Sequence, residues 1–185
     1  LPLITDAYVI RDIFKELGCF CQIEEKTSEM LISCRNIASN TLSKELGSKL
    51  RSTLLFIPGI LTRFGKVWIP YPGGDSLGQR PLDTHLYILN KFGAIVKEKD
   101  HGYEIYSESL TPQELWLPYP SFTGTGMAIL IAASIEGTTI IHNAALEPEI
   151  DDLILMLNKM GAHVYRTSNR GIIVHGKNNL HGTSF

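Results

Sequence analysis

The run Pro72-Gly73-Gly74-Asp75-Ser76-Leu77-Gly78-Gln79-Arg80-Pro81-Leu82-Asp83 gathers the groups in this chain best suited to handling an anion. Glycines permit tight turns and close approach of a ligand to the backbone. Arg80 adds a planar guanidinium fork that matches phosphate oxygens. Asp75 adds a carboxylate able to donate or accept a proton once its surroundings raise its pKa. Spacing alone leaves two readings open: an anion-binding loop, or a surface turn in which Asp75 is simply solvated. Asp83 suits the cap of a helix beginning near Pro81 in either case.

A second candidate is Ser121-Phe122-Thr123-Gly124-Thr125-Gly126, ahead of an apolar helix expected to start near Met127. Successive backbone N–H groups and the helix dipole make such a position receptive to an anion. No Gly-Lys-Ser/Thr follows, so it is not a P-loop. Arg51, close to Lys49, opens another apolar helix, where a cation opposes the dipole. Either a bound anion or plain hydration accounts for it. Glu147 and Glu149 flank Pro148 in the pattern of a helix's opening turn. The six histidines show no metal-ligand pairing, and Trp68 and Trp116 read as packing residues.

Bulk properties narrow the classes. With 44% hydrophobic and 19% charged residues in 185, the chain reads as a globular domain with a sizeable core. A formal net charge of -2 gives no basic excess for a general nucleic-acid binder. Cys19, Cys21 and Cys34 form neither a disulfide framework nor a zinc-ligand spacing, so reduced structural thiols are expected. No apolar run nears the ~20 residues that span a bilayer, and Asp6, Arg11 and Asp12 interrupt any leader-like stretch. A cytoplasmic location is the expectation, with no membrane partner.

The elements that must position these residues recur. Residues 13–23, 88–97 and 156–165 follow one template: an amphipathic helix stops at Gly18, Gly93 or Gly161, and a strand, a polar turn and a second strand follow. Ahead of the second and third copies stands an apolar helix ended by Phe64-Gly65 or Glu136-Gly137, then a strand. Ahead of the first there is almost nothing. Spacing of roughly 70 residues is too long for a thin solenoid of ~20–45-residue repeats. The pattern predicts a single α/β domain with three pseudo-symmetric repeats, the first incomplete. Its apolar helices, having little polar face, would lie inside the sheets. Residues 111–120 read as a proline-bearing connector.

Residues 72–85 resemble the active-site loop of the UDP-N-acetylglucosamine enolpyruvyl transferases, also called 1-carboxyvinyltransferases, of the EPSP synthase-like family. Residues 136–151 resemble a second stretch of the same family. The resemblance implies an inside-out α/β barrel domain of three repeats, paired with a second domain across a substrate cleft. It implies transfer of the enolpyruvyl group of phosphoenolpyruvate to the 3-hydroxyl of UDP-N-acetylglucosamine, with no metal or organic cofactor. Asp75 takes the position of a mobile-loop cysteine that reacts with fosfomycin in most members, which implies a fosfomycin-insensitive loop. Arg80 would hold phosphate and Arg51 the phosphoenolpyruvate side of the cleft. Pro81, Asp83, Thr84 and His85 would line the uridine. Ser121, Phe122 and Thr123 would meet the diphosphate through backbone N–H groups.

This chain departs from the family at Leu55, Tyr119 and Thr123, where a tryptophan, a lysine and a glycine are common. The early Lys-Asn pair of the family and its second domain, with the aspartate base, have no counterpart in residues 1–185. The expectation is therefore a domain fragment, inactive alone. Two further readings stand beside it: a degenerate sugar-nucleotide-binding module, and an enolpyruvyl transferase for another acceptor.

Overall fold

A computed structural model describes residues 1–73 and 81–185. In chain order, α1 (Thr5–Glu16) leads to β1 (Phe20–Glu24) and β2 (Glu29–Ser33), then the short α2 (Lys44–Gly47). A 3₁₀ turn (Arg51–Leu55) runs into α3 (Phe56–Phe64) and β3 (Lys66–Pro70). After the loop come α4 (Asp83–Lys91), β4 (Ile95–Lys99), β5 (Gly102–Tyr106) and β6 (Glu114–Trp116). The last part is α5 (Phe122–Ala133), β7 (Gly137–His142), α6 (Pro148–Lys159), β8 (His163–Thr167) and β9 (Gly171–Gly176).

Each of α1, α4 and α6 closes in the same way. Gly18, Gly93 and Gly161 adopt φ of +85°, +94° and +100°, a left-handed turn in which only glycine avoids a Cβ clash. The amide of each glycine donates to the carbonyl three residues back, at 3.0–3.1 Å. The next amide donates further back: Cys19 to Phe14, Ala94 to Leu89 and Ala162 to Leu157. Carbonyls left over at the helix end are thereby satisfied, and the chain is turned into a strand. A hairpin follows every time, with β1 on β2, β4 on β5 and β8 on β9, all antiparallel.

Among the described residues the strands form three separate sheets, in the orders β1-β2, β3-β5-β4 and β6-β7-β9-β8. The barrel expected from the sequence is thus not a closed sheet. Helices rather than neighbouring strands lie against the sheets, with α1 on β1, α3 on β3, α4 on β4, α5 on β7 and β9, and α6 on β8. The connector expected at residues 111–120 contains β6, which pairs in parallel with β7. Trp116, expected to pack, is 65% exposed and stacks on the His142 ring at 4.1 Å.

The core gathers around α5. Its residues Gly124–Ile129 and Ile131–Ala133 are buried, as an apolar helix without a polar face requires. The 3₁₀ turn, α3, α4 and α6 all pack on it. Pro58 explains why the helix before it tightens: having no N–H, it cannot return a bond to Leu54, and the chain winds as a 3₁₀ turn through Leu55. Cys19 and Cys21 are buried free thiols. Burial, with Cys34 beside it, pushes the Cys19 thiol up to about 12, which keeps it protonated and unreactive.

Candidate functional site

A cleft of about 380 Å³ opens where the 3₁₀ turn, the start of α4 and the start of α5 converge. Arg51, Pro81, Tyr119, Pro120, Ser121, Phe122 and Thr123 line it. Five of these seven are sequence-predicted site residues, drawn from three separate stretches of chain.

Arg51 opens the 3₁₀ turn, and its Nη2 donates to the Pro81 carbonyl at 3.2 Å. That bond ties the guanidinium to the stretch entering α4. The helix α5 begins at Phe122, well before the expected Met127, so the glycines of the second motif lie inside its first turns rather than ahead of it. Ser121 is the cap: its Oγ accepts from the Gly124 amide at 3.1 Å, and its own amide donates to the Tyr119 carbonyl at 2.7 Å. Helix geometry leaves the Phe122 and Thr123 amides without intrahelical acceptors. Two sources of positive potential therefore meet in one cleft, a guanidinium and the amino end of a three-turn helix. The arrangement is built to take an anion.

The Ser121 cap has a measurable worth. Ser121→Ala is expected to cost about 1 kcal/mol of stability, read as a lower urea midpoint at unchanged slope. An unchanged midpoint would mean that the cap bond is not made in solution.

Thr84 and His85, expected to line a ligand, are 3% and 1% exposed and stand behind the cleft wall. They belong to the face of α4 that carries Ile88 and Leu89 into the core. Asp83 is exposed in the first turn of α4; Leu82, not Asp83, occupies the cap position. His85 Nε2 lies 2.8 Å from Thr123 Oγ1, whereas its Nδ1 is buried with no hydrogen-bond partner among the described residues. Burial first, and the Arg51 guanidinium second, lower its pKa from 6.5 to about 4, so the imidazole is neutral at physiological pH. Asp75 and Arg80 lie outside the described residues.

Tyr119 and Pro120 are wall residues that the motifs did not single out. Tyr119 is half exposed and Phe122 is 40% exposed, so two aromatic rings stand at the mouth. Pro120 was signalled only by adjacency to Ser121, whereas Tyr119 was named as a departure from the resembled family's lysine. No group of three or more metal-ligating side chains occurs among the described residues, and no helix among them is long and apolar enough to cross a membrane.

Comparison with known proteins identifies the family and the fold. The family described as EPSP synthase (3-phosphoshikimate 1-carboxyvinyltransferase) matches residues 1–185. The chain is 37% identical over 185 residues to UDP-N-acetylglucosamine 1-carboxyvinyltransferase 1 of Clostridium acetobutylicum. It is 40% identical over 188 residues to the UDP-N-acetylglucosamine 1-carboxyvinyltransferase of Prochlorococcus marinus. All of this chain aligns in both, yet it spans only 44% and 41% of those proteins' lengths. The crystal structure of the enolpyruvyl transferase NikO from Streptomyces tendae superposes with a TM-score of 0.85, over 97% of this chain and 42% of that one, at 19% identity. An EPSP synthase from Acinetobacter baumannii gives 0.72 over 96% and 40%, at 21% identity. At such identities the two structures speak for the α/β fold.

Proposed function

The chain belongs to the EPSP synthase (3-phosphoshikimate 1-carboxyvinyltransferase) family, and from that membership we propose that it is the part of a longer enzyme that moves the enolpyruvyl group of phosphoenolpyruvate to the 3-hydroxyl of UDP-N-acetylglucosamine. The reaction is the first committed step of peptidoglycan synthesis and belongs in the cytoplasm. The observation that carries this reading is the cleft in which Arg51 and the amino end of α5 converge. The names of the similar curated proteins favour UDP-N-acetylglucosamine as acceptor.

In this reading a proton reaches C3 of phosphoenolpyruvate while the acceptor hydroxyl gives its proton to the general base and its oxygen bonds to C2. A proton then leaves C3, the double bond reforms, and phosphate departs with the electrons of its bond to C2. Charge grows and moves on the phosphate, which is where cations have the most effect. Arg51 and Arg80 supply them, and Asp75 donates the proton or assists product release. Pro81 and Asp83 lie along the uridine, with Thr84 and His85 supporting them from behind. Ser121, Phe122 and Thr123 cradle the diphosphate at the head of α5. No metal or organic cofactor takes part. The three helix–hairpin units are read as pseudo-symmetric repeats of an inside-out barrel. The general base belongs to a second domain, so residues 1–185 alone are not expected to turn over.

The test is phosphate release by the full-length protein from phosphoenolpyruvate, with UDP-N-acetylglucosamine or shikimate 3-phosphate as acceptor. Release that requires the sugar nucleotide supports the reading; release only with the shikimate ester overturns it. Tyr119, a neutral ring at the cleft where a cation would serve a diphosphate, favours a second reading, a sugar-nucleotide-binding module without chemistry. Calorimetric binding of UDP-N-acetylglucosamine without turnover would select it. Asp75 gives an independent check. The full-length enzyme should resist fosfomycin, and Asp75→Cys should become sensitive; alkylation of residues 74–80 in the unmodified enzyme would refute the role given to this loop.

A further inference from the structure

His85 and Thr123 share one hydrogen bond, and its direction decides what the cleft offers a ligand. The two atoms are 2.8 Å apart, and either could be the donor. Among the described residues Thr123 Oγ1 has no second hydrogen-bond partner, and His85 Nδ1 has none at all.

The imidazole is neutral, so it carries one N–H and one bare nitrogen. If the hydrogen were on Nδ1, a buried donor would be left without an acceptor, a rare and costly condition. If it is on Nε2, that N–H donates to Thr123 Oγ1, and only a lone pair is left unmatched. The second arrangement is the cheaper one. It has a consequence for Thr123: with its oxygen already accepting from behind, the hydroxyl hydrogen is free to turn forward. Thr123 lines the cleft together with Arg51, beside the amides at the head of α5 that helix geometry leaves unclaimed. A cation and backbone donors thus meet the hydroxyl in the same cleft.

Resting on the enolpyruvyl transferase reading above, we propose that Thr123 donates its hydroxyl hydrogen to a phosphate oxygen of the bound acceptor, and that His85 is the positioning residue that holds the hydroxyl in that polarity. Thr123 then extends the row of backbone donors at the head of α5 by one side-chain donor. His85 never touches the substrate; it acts through Thr123.

The experiment uses the full-length protein. Side-chain ¹H–¹⁵N spectra of its histidines, with the His85 signal assigned by its loss in His85→Gln, should show a protonated Nε2 and a bare Nδ1. Steady-state kinetics should show KM for UDP-N-acetylglucosamine raised about ten- to hundredfold in Thr123→Val, the range for losing a hydrogen bond to a charged group. The value of kcat and the KM for phosphoenolpyruvate should stay near wild type. Thr123→Ser, which keeps the hydroxyl, should restore KM to within about threefold on the same scale. A proton on Nδ1 of His85, or a wild-type KM in Thr123→Val, overturns the proposal. Turnover by the wild type with shikimate 3-phosphate alone overturns the choice of acceptor instead. The KM of Thr123→Val for that phosphate-bearing acceptor then decides the hydroxyl's role. A wild type that binds neither acceptor overturns both.

Discussion

Arg51→Ala is expected to lower kcat/KM of the full-length enzyme about a hundred- to a thousandfold, the usual cost of deleting one fixed electrostatic donor from a reacting site. The argument rests on fixation as much as on charge. The Arg51 Nη2 is bonded to the Pro81 carbonyl at 3.2 Å, so the guanidinium is aimed before any ligand arrives and loses little freedom on binding. It lines the same cleft as the free amides of α5, and in the proposed reaction the two would act together on a phosphate. Arg51→Lys should recover only part of the loss, since an ammonium keeps the charge but not the planar fork. The check is kcat and KM for both substrates across the two variants. Near wild-type kcat/KM in Arg51→Ala would remove Arg51 from the reaction.

Acidification is expected to cost the folded protein about 3 kcal/mol through His85 alone. Its pKa falls from 6.5 to about 4 on folding, because burial and the nearby Arg51 both oppose its charged form. A shift of that size corresponds to roughly 3 kcal/mol. The sign follows from which state binds the proton. Between pH 6.5 and 4 the unfolded chain protonates His85 and the folded chain does not, so acid favours unfolding. The penalty is small above about pH 6.5, grows as pH falls, and is complete only below about pH 4. Urea midpoints from pH 7.5 to 4 should therefore fall more steeply in the wild type than in His85→Gln, which has nothing to titrate. Parallel profiles would show that folding does not disfavour the protonated form of His85.

Much of the architecture could be read from residue order, and the reasons are local. Gly18, Gly93 and Gly161 stop helices by a backbone conformation that only glycine takes easily. Such a signal survives in sequence because no tertiary contact is needed to interpret it. The start of α5 was misplaced for the opposite reason. Gly124 and Gly126 have poor helix propensity, but a Cβ at Gly124 would stand 3.0 Å from Ser121 and from Thr84 Cγ2. Close packing of α4 on α5 chose the residue, and packing is not visible in a propensity. The strand β6 hid for a similar reason, being three residues long among prolines and defined only by pairing with β7.

In the site, Arg51 and the residues from Ser121 to Thr123 were named from sequence and share one cleft. The loop residues Asp75 and Arg80 stay with the sequence argument. His85 is buried rather than lining the cleft directly. Its spacing to Ile88, Leu89 and Phe92 is that of a single buried helix face. The motif around it argued for a ligand. Both bear on the result: His85 is buried, and it reaches the cleft through the Thr123 hydroxyl.

The central helix α5 also governs how the chain comes apart. The 3₁₀ turn, α3, α4, α6, β7 and β9 each cover part of it, and its residues are almost all apolar. None of these covers can lift away without wetting a surface that has no affinity for water. Partial opening on that side is therefore nearly as unfavourable as losing the whole fold, and the enclosing elements must melt together as one cooperative unit. Rigidity at the cleft follows, because Ser121 caps this enclosed helix and Phe122 and Thr123 are its first residues.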